Sequence, residues 1–239
     1  MGILDNYRFR PGIGGTVVAM LGIGICVALA WWQLGRADEK RDLQALVNSR
    51  VDLPAVEYRG GPLDIGSMQY RLVRFAGHFE NDGQVLIDNV VFEGKPGYQV
   101  ITPFRLRQGG HVLVDRGWLP AGKRRDQLPD ISVAPEPLDL SGRIDRHRSR
   151  PVVGAERPDP EGSMRWLYVD TGYYSEQTGL AVPEFVIRLA PGSPLGYQAS
   201  QSAYDAKVGM HIGYAIQWAA FAVIAFATWL SLSIKRVKQ

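Results

Sequence analysis

Cysteine is nearly absent from this chain of 239 residues. The single cysteine, Cys26, lies inside an apolar segment. One cysteine excludes an internal disulfide bond, and it also excludes a metal site built only from cysteine ligands. Because there is no disulfide pattern to interpret, the cysteine content does not indicate an oxidising or a reducing compartment.

The chain also lacks the short motifs that accompany common enzyme chemistry. It contains no phosphate-binding loop, no Gly-x-Ser-x-Gly elbow and no His-Glu-x-x-His motif. Its glycine pairs at positions 12/14 and 22/24 do not complete a dinucleotide-binding fingerprint. The spacing of the four histidines does not suggest a metal site. They are His78, His111, His147 and His211. We therefore expect a protein that is not an enzyme.

A strong charge of either sign is missing too. The 27 basic and 24 acidic residues give a formal net charge of only +3. No run of lysine and arginine is interleaved with aromatic residues, which is the pattern typical of nucleic-acid binding. We therefore expect no nucleic-acid partner.

Two long runs without charged residues stand out against this background. They are Ile13–Leu34 and Val208–Ile234. A helix needs about 20 residues to cross the hydrocarbon core of a bilayer, and both runs are long enough. Tryptophan favours the membrane–water boundary, and Trp31, Trp32 and Trp218 lie at or near the outer ends of these runs. The pattern predicts two transmembrane helices in a lipid bilayer.

These runs divide the chain into five predicted segments. They are a cytoplasmic tail, a transmembrane helix, a β-rich domain, a second transmembrane helix and a basic cytoplasmic tail, at residues 1–12, 13–34, 35–207, 208–232 and 233–239. Basic residues in short tails favour the cytoplasmic side. The number of lysine and arginine residues near the spans is almost equal on the two sides of the membrane, because basic residues also flank the middle segment. The compact tail with Lys235, Arg236 and Lys238 favours cytoplasmic termini. We therefore expect the middle domain to be periplasmic.

Two other interpretations of the apolar runs stay open at this point. The first run could be a cleaved signal peptide, because Arg8 and Arg10 precede it and an Ala-x-Ala sequence ends at Ala30. Its length and its two tryptophans argue against cleavage. The second run could be a buried helix of a soluble fold, although its length and the basic residues after it favour a membrane stop.

The middle segment alternates apolar and polar residues in short runs, which predicts β-strands. We expect strands at 70–79, 84–91, 97–106, 111–119, 137–147 and 184–190. Asn81-Asp82-Gly83 predicts a hairpin between the first two, and residues 107–110 predict another between the third and fourth. A short helix is expected here, with Asp170 or Thr171 as its N-terminal cap and Gly179 as its stop. The predicted fold class is an α+β membrane protein in which two terminal transmembrane helices flank a β-rich extracytoplasmic domain.

Three more local predictions follow from spacing and residue type. Residues 36–47 have helical spacing and should prolong the first apolar helix into water. Gly24 and Ala28 form a small-x-x-x-small pair, which is a packing pattern of membrane helices. Asp115 and Arg116 could pair with each other, in which case a structural role is more common than a catalytic one.

A polar and aromatic cluster is expected where the two apolar runs meet the outer membrane surface. His211, Tyr214 and Trp218 share one helical face by their spacing. In an antiparallel pair of spans they would lie at the depth of the first span's end, which carries Trp32, Gln33 and Arg36. One interpretation is simple interfacial anchoring. The other is that His211 binds haem iron and that nearby arginines pair with the haem propionates.

Four sequence elements in order between the two apolar runs resemble the Surfeit locus protein 1 family of cytochrome c oxidase assembly factors. They are "WWQLGRADEKRDL", with Trp-Gln-x-x-Arg at Trp32, Gln33 and Arg36; "GYQVITPF" followed by "VLVDRGWLP", with Arg116 to Pro120; "RWLYVD"; and "HIGYAIQW", with His211, Tyr214, Ala215 and Trp218. The combination and its order make the resemblance specific.

The resemblance implies a function that composition does not reveal. Proteins of this family look like non-enzymatic, chaperone-like factors that help to place haem a into subunit I of cytochrome c oxidase. By that resemblance His211 would be the haem ligand, while Trp32, Gln33 and Arg36, with Tyr214 and Trp218, would form the receiving face. Arg116, Gly117 and Trp118 would shape the outer domain.

The same resemblance implies location and partners. The protein would lie in the bacterial inner membrane, or in the mitochondrial inner membrane if the chain is eukaryotic. Subunit I of the oxidase and haem a synthase would be its protein partners. The alternative is a membrane-anchored scaffold that docks oxidase subunits and never binds haem.

Overall fold

The computed structural model describes residues 7–122, 124, 127–146, 157–159, 163–198 and 206–236. The chain divides into two compact units. The helical unit comprises Met1–Leu46 and Asp205–Gln239, and the sheet unit comprises Val47–Tyr204. His147 and the outermost parts of both predicted tails lie outside the described residues.

The described residues form four helices and ten strands. The helices are α1 (Ile13–Val51), α2 (Ile65–Met68), α3 (Thr171–Thr178) and α4 (Val208–Ser233). The strands are β1 (Tyr7–Phe9), β2 (Val56–Glu57), β3 (Leu72–Phe79), β4 (Val85–Phe92), β5 (Lys95–Leu106), β6 (His111–Pro120), β7 (Leu138–Asp145), β8 (Arg165–Trp166), β9 (Val186–Leu189) and β10 (Ile234–Arg236).

Helices α1 and α4 confirm the two predicted apolar helices, each long and apolar enough to span a membrane. Their most apolar stretches are 0% and 6% buried, which argues against the core helix of a soluble fold. Helix α1 begins two residues after Pro11, and proline is tolerated at the start of a helix. It ends three residues before Pro54, and a proline disfavours helical backbone in the residue that precedes it. It therefore includes the predicted polar extension at 36–47.

The sheet unit is built on an eight-stranded sheet in the order β2-β3-β7-β9-β6-β5-β4-β8. The end of β3 also pairs with the end of β5, so that five of the strands close into a ring. Edge-to-face aromatic contacts fill the interior beside this closure. Phe104 lies 5.0 Å from both Phe75 and Phe79, measured between ring centroids. The α+β class with a β-rich domain between the apolar helices is confirmed.

Local signals placed one helix and one hairpin correctly. Asp170 caps α3 by accepting the backbone N–H of Tyr173 at 3.0 Å, and Gly179 ends the helix with φ of +73°. Strands β5 and β6 pair antiparallel across the turn at 107–110.

The predicted hairpin between β3 and β4 is wrong. Strand β3 pairs with β2, β7 and β5, whereas β4 pairs with β5 and β8. The Asn81 side chain instead accepts the backbone N–H of Val133 and donates to its carbonyl, both at 2.9 Å. The turn therefore leads the chain to a different strand, because more distant partners occupy both edges of β3.

Candidate functional site

Helices α1 and α4 each carry one row of less exposed residues with alternating spacings of three and four. We call these rows the helix seam. A 3.5-residue repeat keeps such a row on one side of a helix and is typical of paired helices. On α1 the row is Thr16, Ala19, Ile23, Cys26, Ala30, Gln33, Ala37, Lys40 and Gln44. On α4 it is Val208, His211, Ala215, Trp218, Ala222, Ala225 and Trp229.

Side-chain hydrogen bonds connect the helical unit at three levels along the seam. Near the chain termini, the Trp229 indole N–H donates to Thr16 Oγ1 at 3.1 Å. At the other end of the helix seam, Gln44 Oε1 accepts the backbone N–H of Ala206, which lies just before α4, at 3.0 Å. Between them lie Gln33 and His211. These contacts fix an antiparallel register for the two helices.

The contact between His211 and Gln33 is the chemically informative one. His211 Nδ1 lies 2.9 Å from Gln33 Oε1, and both side chains are half-buried. An amide oxygen can only accept, so Nδ1 carries a proton and donates it to this bond. In the neutral imidazole the lone pair is then on Nε2. Among the described residues no hydrogen bond reaches Nε2, which leaves that nitrogen available to a ligand.

The other predicted site residues surround this pair less closely. Trp32 and Tyr214 are 57% and 46% exposed, so both lie beside the seam. Trp218 is half-buried and makes an edge-to-face contact with Phe221 at 5.7 Å. Arg36, one turn beyond Gln33 on α1, pairs with Glu39 on its own helix. Of the six predicted residues, the structure joins Gln33 and His211 by a direct bond.

Two details of the expected helix packing are wrong. The seam passes through Ala215, which is buried, and Tyr214 lies about 60° to one side of His211 on the helix. Gly24 and Ala28 are both exposed and therefore do not face α4. Sequence reasoning also missed Gln44 and Thr16. The alternating three-and-four spacing that contains Gln33 runs through both of them and could have identified them.

In the sheet unit, the Arg-Gly-Trp element forms a buried structural network. The Arg116 side chain is 3% exposed, and its guanidinium donates to the carbonyls of Leu195 and Ile131, each at 2.9 Å. It also lies 4.7 Å from the ring centroid of Tyr197. Burial lowers the pKa of Arg116, and the neighbouring Tyr197 partly raises it again. The network ties two loops to the sheet.

Asp115 and Arg116 do not pair, contrary to expectation, because they point in different directions from β6. Asp115 is buried and accepts from the Arg188 guanidinium at 3.2 Å, and it also contacts the Gln99 amide. Burial lowers the pKa of Arg188, but the charges of Asp115 and Asp145 outweigh it and raise that pKa. The ion pairs of Arg188 with Asp115 and with Asp145 join β9 to β6 and to β7.

Gly117 and Trp118 shape the sheet as the sequence suggested. Gly117 has φ of +108°, and a Cβ there would lie 2.6 Å from the carbonyl oxygen of Gln198. The register of β5 and β6 shifts by one residue at this point, which forms a bulge. Trp118 packs over Gly97 and donates its indole N–H to Val90 O at 2.8 Å. Gly97 and Trp118 belong to the two adjacent motifs, so the two motifs pack against each other.

A cleft of about 630 Å³ opens on the sheet unit near the start of β4. Its polar lining includes His78, Glu80 and Asp82. Glu80 is engaged by His111 at 3.2 Å and by Arg105 at 3.7 Å. Among the described residues, no group of three or more His, Cys, Asp or Glu side chains is arranged to hold a metal ion. The cleft therefore does not supply a metal site of its own.

Comparison with known proteins decides the family. The model of the SURF1 family matches residues 20–223, from within α1 to within α4. The chain belongs to the SURF1 family. This match includes the whole sheet unit and the parts of both helices that carry Gln33 and His211.

Curated SURF1 relatives occur in eukaryotes and bacteria. A SURF1-like protein of Monosiga brevicollis is 27% identical over 239 residues, covering 93% of this chain and 89% of the relative. Surfeit locus protein 1 of Gallus gallus is 26% identical, covering 87% and 72%. An uncharacterized SURF1-like protein of Mycobacterium tuberculosis strain H37Rv is 27% identical, covering 92% and 82%.

SURF1 membership supports a role in cytochrome c oxidase assembly and association with a membrane. Members of the family are assembly factors rather than enzymes. The helical unit offers one nitrogen donor that a metalloporphyrin could use, the Nε2 atom of His211. A porphyrin brings four nitrogen ligands of its own, so a single imidazole with a free Nε2 is a sufficient protein ligand.

Proposed function

We propose that this chain binds haem a at His211 and assists its insertion into subunit I of cytochrome c oxidase. The observation that supports this most strongly is the 2.9 Å bond between His211 Nδ1 and Gln33 Oε1. A histidine that ligates a metal commonly donates its second ring N–H to an oxygen acceptor, which fixes the tautomer and the ring orientation. Gln33 supplies that acceptor, and His211 would hold the haem iron through Nε2.

The surroundings of the pair suit a cargo that must leave again. His211 is half-buried, so iron could reach it without opening a core. The half-exposed rings of Trp32 and Tyr214, with Trp218 on the seam, would provide apolar area for the porphyrin. Arg36 would pair with a haem propionate in exchange for Glu39. One protein ligand beside a lipid-exposed surface favours transfer over permanent storage.

The proposal includes a location and partners. The two helices would cross the bacterial inner membrane, or the mitochondrial inner membrane in a eukaryote, with both termini in the cytoplasm or matrix. The sheet unit would then be periplasmic, or face the intermembrane space. Haem a would be received from haem a synthase and passed to oxidase subunit I. The lipid bilayer would surround the seam.

The test is the haem content of the purified full-length protein. We would express the wild type, His211→Ala and the control His78→Ala in cells that make haem a, and record optical spectra. We expect haem in the wild type and in His78→Ala, and at least a tenfold loss in His211→Ala. Equal haem in His211→Ala would refute the ligand role. Absence of haem from the wild type would favour the docking scaffold.

A further inference from the structure

The two ends of the described chain pair with each other in a short ribbon. Strands β1 and β10 are antiparallel, with Arg8 opposite Lys235 and Phe9 opposite Ile234. The pairing continues to the helix end, where the Arg10 N–H donates to Ser233 O at 2.7 Å. We call residues 7–10 and 233–236 the terminal ribbon. It lies where α1 begins and α4 ends, at one end of the helix seam.

The two pairs of the terminal ribbon nearest the helix ends are one apolar pair and one basic pair, and we call the two faces there the apolar face and the basic face. Successive residues of a strand point to opposite faces, so Phe9 and Ile234 share one face and Arg8 and Lys235 share the other. The Phe9 ring meets Trp229 of α4 edge-to-face at 5.7 Å. Phe9 and Ile234 nevertheless stay 54% and 45% exposed. The apolar face is therefore only partly covered by protein.

Such a ribbon is not self-sufficient in water. Each strand has three residues, and isolated two-stranded ribbons are at best marginally stable. Arg8 and Lys235 are also like charges directly opposite each other, which destabilises a strand pair. Among the described residues no carboxylate pairs with Arg8, Arg10 or Lys235, and all three are exposed. An external anion next to an apolar phase would remove both difficulties.

We propose that the terminal ribbon binds the headgroups of anionic phospholipids in the leaflet at which α1 begins and α4 ends. The basic face takes the lipid phosphates, and Phe9 and Ile234 enter the acyl boundary beside Trp229. A free phosphate ion would satisfy the charges but would leave the apolar face in water. Two membrane helices also hold the ribbon at the interface, where the headgroup concentration is high. This role is independent of haem binding at the opposite end of the seam.

The experiment measures lipid selectivity of the full-length protein reconstituted in phosphatidylcholine. Trace spin-labelled phosphatidylglycerol or phosphatidylcholine is added, and the motionally restricted fraction gives a relative association constant. Because both leaflets have the same composition, the orientation of the protein does not affect the reading. The test variant is Arg8→Gln/Arg10→Gln/Lys235→Gln. The control, Arg59→Gln/Arg74→Gln/Lys95→Gln, removes the same charge from exposed positions of the sheet unit.

Each cation at an anionic surface is expected to give about a fivefold preference. We therefore expect at least a fivefold selectivity for phosphatidylglycerol in the wild type and the control, weakened by salt, and less than twofold in the test variant. If the triple variant does not fold, Arg8→Gln alone should lower the selectivity by a smaller factor, between about twofold and fivefold. Equal selectivity in wild type and variant would overturn the proposal. A second outcome would also overturn the proposal. If inorganic phosphate abolished the selectivity and chloride at equal ionic strength did not, the ribbon would be a site for free phosphate.

Discussion

Gln33 and His211 are 178 positions apart in sequence, yet their side chains meet at 2.9 Å between the two apolar helices. Gln33 lies near the end of the first apolar run, Ile13–Leu34, and His211 lies near the start of the second, Val208–Ile234. A polar pair in an apolar span is costly unless each member has a partner or a function. The pair gives Gln33 its acceptor role, and no other described residue forms a hydrogen bond with the His211 Nε2 atom.

Replacing Gln33 should weaken haem binding by removing the acceptor that orients the imidazole. We expect Gln33→Leu to raise the haem dissociation constant about tenfold or more. Gln33→Glu keeps an oxygen acceptor and should bind at least as well as the wild type. The measurement is a spectrophotometric haem titration of the full-length protein in detergent. Gln44→Leu is the matched control, since Gln44 Oε1 accepts a backbone N–H instead. Unchanged binding by Gln33→Leu would contradict the positioning role.

The bulge at Gly117 should be intolerant of any side chain. Gly117→Ala should destabilise the sheet unit by more than about 3 kcal/mol, because left-handed strain adds to a clash with a backbone oxygen. Gly94→Ala is the control: Gly94 also has a positive φ, of +76°, but its Cβ would meet nothing within 4 Å. It should cost only about 1 to 2 kcal/mol. Thermal unfolding would compare the stabilities of the two variants. Equal losses would show that the close carbonyl oxygen of Gln198 contributes nothing to the cost at Gly117.

The buried ion pair of Asp115 and Arg188 should matter far more than an exposed pair. Asp115→Ala removes the buried one of the two carboxylates that pair with Arg188 and leaves Asp145, 2.6 Å from the guanidinium. It also removes the acceptor of the Gly117 N–H, so it should cost about 3 kcal/mol. The exposed pair Arg107–Asp139 offers a contrast, and Arg107→Gln should cost less than about 1 kcal/mol. A double variant Asp115→Ala/Arg188→Ala should lose less stability than the sum of the two single changes. Strict additivity in denaturant unfolding would disprove the coupling.

Tyr174 should make the sheet unit sensitive to alkali. Burial raises the pKa of Tyr174 from 10.0 to about 12, and its hydroxyl donates to Gly83 O at 3.0 Å. The folded protein then keeps a proton that the unfolded chain loses near pH 10. The stabilisation is therefore complete below pH 10 and disappears as the pH rises through about 12.

Tyr174→Phe tests this pH dependence. The variant lacks the hydroxyl, so it should be less stable than the wild type at pH 8, by about 1 kcal/mol for one lost hydrogen bond. The difference should shrink between pH 10 and pH 12. Melting temperatures of both proteins across that range provide the measurement, and a constant difference would contradict a raised pKa.

Sequence reasoning succeeded where the determining contacts are local. Asp170 and Gly179 cap α3 through bonds to residues a few positions away. The stop at Gly179 is confirmed, and of the two predicted caps, Asp170 and Thr171, the structure has Asp170. The two apolar helices follow from composition alone. The β5–β6 hairpin also follows from a short turn and two adjacent strands. In each of these the sequence neighbours are also the structural neighbours.

Prediction failed where distant segments compete for the same edge. Asn81-Asp82-Gly83 is a good hairpin turn locally, yet β7 and β5 occupy the edges of β3. Asp115 likewise pairs with Arg188 on β9, which no spacing rule connects to it. The seam is an intermediate case. Its periodicity is visible in each helix, but the level at which Gln33 meets His211 depends on the register between helices 178 positions apart.

Haem a occupancy of cytochrome c oxidase in cells that depend on this protein is the decisive measurement. A strain that lacks the gene would be complemented with the wild type, His211→Ala or His78→Ala, and haem a per subunit I would be determined in the isolated oxidase. We expect full occupancy with the wild type and His78→Ala, and strongly reduced occupancy with His211→Ala at equal protein levels. Full occupancy with His211→Ala would show that His211 does not take part in haem delivery.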